Sequence, residues 1–359
     1  MNLSGSLCYD IFSSRQSPIM KQAFILSDCE LPECDEKIYA LLVANPTKGH
    51  HFIAQTEQRQ FAFNTQVNPQ NQNVYRWPLS RFYKPYKGEI LSVNIENNLE
   101  VNNLFTLAFV EGDGGQQYNL ESWFNRYESG YENACAALRL LEPHIQPANK
   151  ELMQILKLKL LGILRNPYNK KDALVRHLYK SLAQYLPQSN PAFSHLIAAR
   201  PAERVQRIIS SFQFNLPEYT QWLSNLYAIL SEGIHQPSLF DQLFSALFAD
   251  SNAVNIELYR YSDAGRYCYF SDSGYCLQAS NQSLSIGFGI AADLFAIVHV
   301  SRYHWENLAA YLTISLPTLK NTVSIHDNQH IQRITYNRLC IRRSHEAVYG
   351  KSNLNEAFL

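Results

Sequence analysis

Neither sign of charge is in excess in this chain: 31 lysines and arginines balance 31 aspartates and glutamates over 359 residues. A protein that coats nucleic acid or lies on an anionic membrane needs a net positive field, so a uniformly basic surface is excluded. Charged residues are also sparse, at 17%, while 46% of residues are hydrophobic and 13% aromatic. That balance builds large cores and excludes a disordered chain. Long apolar runs are missing too. The longest candidate, residues 283–300, carries Asp293 in its second half and reads as two strands, so no spanning helix and no membrane partner are expected. The opening MNLSGSLCYDIFSSRQSPIM has no basic segment ahead of a continuous apolar core, which argues against a secretory signal. Met20 reads as a second start, and residues 1–19 as a tail.

Cysteine is scarce. The seven, at 8, 29, 34, 135, 268, 276 and 340, are odd in number and scattered, which suits reduced thiols and a cytoplasmic location. Cys29 and Cys34, followed by His50 and His51, invite a zinc reading, but the cysteine gap is loose and adjacent histidines seldom reach one ion. No Walker loop, Gly-x-Gly-x-x-Gly fingerprint, His-Glu-x-x-His or Gly-x-Ser-x-Gly elbow occurs. P-loop hydrolysis, Rossmann redox chemistry, zincin proteolysis and α/β-hydrolase esterolysis all lose support.

What is present changes period twice. Residues 20–118 are strand-rich, with β-branched or aromatic runs at 60–64, 73–79, 90–95 and 103–110. Residues 119–250 are helical, with apolar residues recurring at three and four over 119–141 and further helices expected at 150–164, 170–186, 202–214, 217–232 and 237–248. Residues 251–359 return to strands (254–261, 266–272, 275–278, 284–290, 294–300 and 311–316) and close with a helix over 328–343. The order predicts an α+β fold in one integrated domain. The N- and C-terminal strand groups are expected to build a small antiparallel sheet against the central array of helices.

The segment GHHFIAQTEQRQF, residues 49–61, resembles the opening signature of a bacterial family catalogued as domain of unknown function 4238, approximately His-His-Tyr/Phe-x-Pro-Gln-x-x-Leu-Arg/Lys-x-Phe. His50, His51, Phe52, Gln55, Arg59 and Phe61 match, while Ala54 replaces the family's Pro and Gln58 its Leu, the mark of a divergent member. Further landmarks follow in the family's order over roughly residues 45–345. NLESWFNRYES resembles the segment with two spaced glutamates, here Glu121 and Glu128, and GILRNP the helix end with Arg165 and Pro167. FSDSGY resembles the strand end with Asp272, although Gly274 stands for Pro, and Asn328 heads a final helix. No reaction is settled for that family, whose members occur among bacterial phage-defence loci. The resemblance implies a cytosolic bacterial antiviral effector with a phage component as its trigger.

A histidine titrates near neutrality and can give or take a proton, so a His with a nearby Arg and Gln suits phosphodiester cleavage. If residues 51–59 are helical, His51, Gln55 and Arg59 share a face and converge, with His51 or His50 as acid or base, Gln55 orienting the substrate and Arg59 neutralising a phosphate oxygen; if they are a strand, the three share a face but are spread too far to converge. The alternative is that His51 bonds a buried carbonyl and Arg59 pairs with Glu121 or Glu128 to brace the fold. Glu121, Glu128 and Glu132 form a stripe that either faces solvent or, with Asp272, holds a divalent metal. Asp272 in Ser-Asp-Ser-Gly reads equally as a turn former. Between residues 150 and 180, eight basic residues stand against two acidic ones. Lys157, Lys159, Arg165, Lys170, Lys171 and Arg176 make this a candidate nucleic-acid track, or else the outer faces of two amphipathic helices. Arg338 and Arg342, four apart on the closing helix, point the same way. The expected activity is that of a nuclease acting on RNA or DNA; the alternative is a non-enzymatic binding or sensor module.

Overall fold

A computed structural model describes residues 44–82, 88–109, 117–182, 202–230, 237–263, 265–313 and 321–354. The tail at 1–19 and the zinc reading of Cys29 and Cys34 lie outside the described residues. The described chain opens with β1 (Ala44–Asn45), β2 (Gly49–His51) and the short helix α1 (Gln55–Arg59). Strands β3 (Asn73–Pro78), β4 (Leu91–Asn94), β5 (Glu100–Asn102), β6 (Thr106–Phe109) and β7 (Gln117–Asn119) complete the first group. The middle carries α2 (Glu121–Glu128), α3 (Tyr131–Arg139), the short strand β8 (Ile145–Pro147), α4 (Lys150–Arg165) and α5 (Ala173–Ser181). Helices α6 (Ala202–Phe212), α7 (Leu216–Leu230) and α8 (Leu239–Ala249) follow. The second strand group has β9 (Val254–Arg260), β10 (Phe270–Ser271), β11 (Cys276–Ala279), β12 (Ser283–Ala291) and β13 (Leu294–Ser301). The short helix α9 (Arg302–Glu306), β14 (Thr322–Asp327), α10 (His330–Arg343) and β15 (Ala347–Gly350) end it.

The fold is α+β, as the order of patterns predicts. The strand groups do not form a single sheet, however. The largest sheet has the order β11-β12-β13-β9-β14-β8, antiparallel except where β14 runs parallel to β9. It draws on the C-terminal group and recruits β8 from the helical part. The two groups meet in a second sheet, β10-β15-β3-β4, in which the late strand β15 lies against β3. Two smaller sheets, β1-β7-β6 and β2-β5, are made by the N-terminal group alone.

Local chemistry explains the departures from the expected elements. The long helix over 119–141 is two helices, because Gly130 adopts φ 78° and turns the chain between α2 and α3. A Cβ is disfavoured in that left-handed region, which glycine enters freely. Asn149 caps α4 by accepting from the Leu152 amide at 2.9 Å, and the Asn166-Pro167 step ends it. The strand expected at 60–64 is a turn closing α1; its apolar signal came from Phe61 and Ala62, which are fully buried there. Residues 308–313 are a 3₁₀ helix rather than the start of a strand. Among the described residues, no helix is long and apolar enough to cross a membrane.

Helix α4 is the axis of the helical part. Leu152, Ile155, Leu156, Leu158 and Leu161 on it are wholly buried, and so are Lys159 and Arg165 to within a few per cent. A smaller aromatic cluster, with Phe295 stacked on Tyr336 at 4.3 Å, joins the large sheet to α10.

Candidate functional site

The paired histidines part company because strand side chains alternate. In β2, His50 sits opposite Val101 and His51 opposite Glu100. His50 is completely buried, its ring stacked on Phe105 at 5.6 Å. Its Nδ1 accepts from the Phe105 amide at 2.8 Å, which puts the ring proton on Nε2, 3.1 Å from the Thr47 carbonyl. Both nitrogens lie within hydrogen-bond distance of backbone groups, and Asn119 Nδ2 is 3.4 Å from Nε2, so His50 braces the strand in this structure.

His51, Gln55 and Arg59 do converge, although only the last two are helical. Arg59 Nη2 donates to Gln55 Oε1 at 2.5 Å, and Gln55 Nε2 lies 3.4 Å from His51 Nε2. Because the Gln55 oxygen is taken by Arg59, its NH₂ faces the histidine and makes His51 Nε2 an acceptor. Burial brings His51 down to about 4; the carbonyls of Ile95 and Glu96 oppose this, and the charges of Arg165 and Arg59 add to it. The ring is consequently a neutral base at pH 7. Glu100, 3.8 Å away, is a neighbour of that base and not its ion-pair partner.

Opposite stands Arg165, at the end of α4 with no exposed surface. Its Nη1 donates to Glu128 at 2.6 Å, its guanidinium lies 4.9 Å from the Phe124 ring centroid, and its Nε and Nη2 have no hydrogen-bond partner. Burial opposes its charge, yet Glu128, Glu57 and Glu121 together hold it above the ordinary range. Glu121 is pushed up to about 8 by burial, against the pull of Arg165 and with the repulsion of Glu128. One of its oxygens, Oε1, is also without a partner, as is Arg59 Nε. Beneath this set Lys159 and Glu57 form an ion pair in which both side chains are about 95% buried, at 4% and 5% exposure.

Of the expected carboxylate stripe, Glu132 is exposed as a solvated face requires, whereas Glu121 and Glu128 turn toward Arg165. Glu128 pairs with Arg165, not Arg59, and among the described residues no group of three or more His, Cys, Asp or Glu is placed to hold a metal. The result is a base, a protonated acid and two guanidiniums with unsatisfied N–H groups, gathered in the interior. Comparison with family models, curated proteins and solved structures returned no match. The resemblance to domain of unknown function 4238 therefore rests on its own residues.

Arg59 and Glu100 each line a cleft. Arg59 lines one of about 730 Å³, with Tyr261, Arg266, Tyr267 and Lys351. Glu100 lines the other, about 790 Å³, where Lys48 faces Arg204 and Arg207 of α6.

The remaining expected site residues lie elsewhere. Asp272 is 1% exposed, and its carboxylate accepts from the amides of His345, Glu346 and Ala347 at 2.8, 2.6 and 2.9 Å. It clamps the turn into β15, and burial still lifts it to about 6 against those three amides. Both carboxylate oxygens are engaged by backbone amides, so in this structure Asp272 holds the turn. Asp272→Ala leaves three amides unpaired and is expected to cost about 3 kcal/mol or more in a urea titration. A loss under about 1 kcal/mol would show that water replaces the clamp. Asn328 does not head α10; at φ 54° it pins the preceding turn, its Oδ1 accepting from the Ser262 amide at 3.0 Å.

The basic segment does not form a continuous track. Lys157 pairs with Asp241 at 2.9 Å, Lys159 with Glu57 and Arg165 with Glu128. Lys170 bonds the Phe212 carbonyl, lies 3.7 Å from the Phe214 ring centroid and is brought down to about 8 by burial. Only Lys171 and Arg176 of the six are exposed. Carboxylates distant in the chain pair with Lys157, Lys159 and Arg165, which a local charge count misses. Arg338 and Arg342 are both exposed on the outer face of α10.

Proposed function

We propose that the chain is a nuclease acting on RNA or DNA, with His51 as general base, Glu121 as general acid, and Arg59 and Arg165 as the groups that neutralise phosphate charge. The observation that supports it most is the convergence of His51, Gln55 and Arg59, linked at 3.4 and 2.5 Å, with Arg165 acting both on His51, which is depressed to about 4, and on Glu121, which is raised to about 8. Two titratable groups whose surroundings push them in opposite directions are what acid–base cleavage at neutral pH requires. In this reading His51 Nε2 takes the proton of the attacking hydroxyl, and Glu121 returns one to the leaving oxygen. The arginines offset the charge that builds on phosphorus. The cleft at Glu100 carries Lys48 and Arg204 beside an Arg207 that pairs with Glu203, and it is the candidate surface for a polynucleotide backbone in place of the α4–α5 segment.

The cytosolic bacterial setting and the role in phage defence rest on the family resemblance. Incubation of the purified protein with single-stranded and duplex RNA and DNA, with and without Mg²⁺, is the direct test. Cleavage by the wild type that Arg59→Ala abolishes supports the reading, and no cleavage of any substrate overturns it.

One observation favours a non-enzymatic sensor instead: Arg165 is wholly buried and ties Glu128 of α2 to α4, as a brace would. That reading expects Arg165→Met to lose protection against phage only in step with lost stability.

A further inference from the structure

On the face of the large sheet covered by α10, three adjacent strands bring together a serine, a histidine and a glutamate. Ser285 of β12 pairs in register with His299 of β13, so their side chains stand side by side on that face. Glu257 of β9 reaches the same histidine from one residue pair further along, opposite Ile297. His299 Nε2 lies 3.4 Å from Glu257 Oε2, and Ser285 Oγ lies 2.8 Å from His299 Nδ1.

The protons follow from these contacts. An ionised carboxylate accepts only, so Nε2 carries the ring hydrogen and Nδ1 is left as a bare base facing the serine hydroxyl. The carboxylate is fixed in turn by the Tyr259 hydroxyl, which donates to it at 2.6 Å. Glu257 is held near 2 by the His299 hydrogen bond, against burial and with help from Tyr259. Nucleophile, base and orienting carboxylate are therefore linked in sequence, the arrangement that activates a serine on unrelated folds.

A cross-strand ladder that merely pins a sheet need not open onto space, but this one does. The three residues line a cavity of about 210 Å³ whose inner wall is Cys276, Ile297, Tyr336 and Leu339. His299 and Glu257 keep 30% and 27% of their side-chain surface exposed, so small molecules reach the base. Gln278 of β11, paired in register with Ser285, brings a side-chain amide to the same cavity. Its NH₂ can donate to an oxyanion formed at the serine.

We propose that Ser285, His299 and Glu257 form a second catalytic centre, a serine esterase site for small carboxylic esters. Ser285 Oγ bonds to the ester carbonyl carbon as its proton passes to His299 Nδ1. The tetrahedral oxyanion takes the Gln278 amide, and the apolar wall receives a short acyl chain. Collapse breaks the bond to the alkoxy oxygen, which leaves with the proton from His299. Water then attacks the acyl-serine, His299 taking its proton and returning it to Oγ, so acid and alcohol are released and the enzyme is restored.

The test is a fluorophosphonate probe on the full chain, with the labelled residue located by peptide mass spectrometry, alongside hydrolysis of p-nitrophenyl acetate and butyrate. One label per chain at Ser285 is expected, absent in Ser285→Ala and slowed at least about 10²-fold in His299→Ala. Gln278→Ala is expected to lower kcat for the esters about 10²-fold with the label still accepted. The wild-type labelling needs no variant and so is independent of folding. Failure of the probe to modify Ser285, or equal labelling in a folded His299→Ala, overturns the proposal.

Discussion

Lys159→Met is expected to lower the free energy of unfolding by about 3–5 kcal/mol, the usual consequence of removing one partner from a buried ion pair. The two side chains are 4% and 5% exposed, so water does not reach the Glu57 carboxylate left behind. The ammonium also lies 5.6 Å from the Tyr131 ring centroid, an attraction that the thioether does not replace. Removing both charges together, as Lys159→Met with Glu57→Leu, is expected to restore most of the loss, because neither side chain then carries an uncompensated charge. Urea titration of the two single variants and the double variant measures this directly. A single-variant loss under 1 kcal/mol, with no recovery in the double, would mean that the pair contributes nothing net.

The second large effect concerns the acid–base pair. If His51 and Glu121 cleave phosphodiesters, kcat/KM is expected to follow a bell with its limbs near 4 and 8. His51 acts as a base only when neutral, above about 4, and Glu121 donates only when protonated, below about 8. His51→Ala and Glu121→Gln are each expected to lose about 10²–10⁴-fold in kcat. Stability moves in opposite senses for the two groups. His51 has its folded value depressed, so its contribution is present above 6.5 and is lost as pH falls through about 4. Glu121 has its folded value raised, so its contribution is present below 4.5 and is lost as pH rises through about 8. Glu121→Gln should therefore abolish the alkaline loss of melting temperature while also lowering kcat about 10²–10⁴-fold. Wild-type cleavage by a folded His51→Ala protein would remove the base from this site.

The part of the site that was legible in the sequence was the part made locally. Gln55 and Arg59 meet because they are four apart on one helix, whereas His51 joins them from the end of a strand, a change of element between residues 51 and 55 that neither a wholly helical nor a wholly extended segment anticipates. Glu121 and Glu128 carried the family pattern but were expected to face solvent, since nothing near them in the chain announces Arg165, 37 residues beyond Glu128. The same distance effect hid the partners of Lys157 and Lys159, at separations of 84 and 102 residues. The Ser285 ladder was invisible for a related reason. It needs the register of three strands, and the sequence contains no Gly-x-Ser-x-Gly elbow to mark the serine. Sheet order was likewise out of reach, because β14 joins β9 in parallel after β10 to β13 and α9 have intervened in the chain.

The place of β15 between β10 and β3 sets the timetable of folding. Trp77 on β3 donates to the Ser352 carbonyl across 275 residues of chain. Synthesis must pass Gly350 before β3 gains its neighbour or Asp272 gains the amides it clamps. Until then the side of β3 away from β4 is an unpaired edge, the kind of surface on which strands of other molecules add. The closure is also the most non-local in the described fold, and such pairings form late and slowly. Newly made chains should therefore depend on chaperones in proportion to how long that edge stays bare.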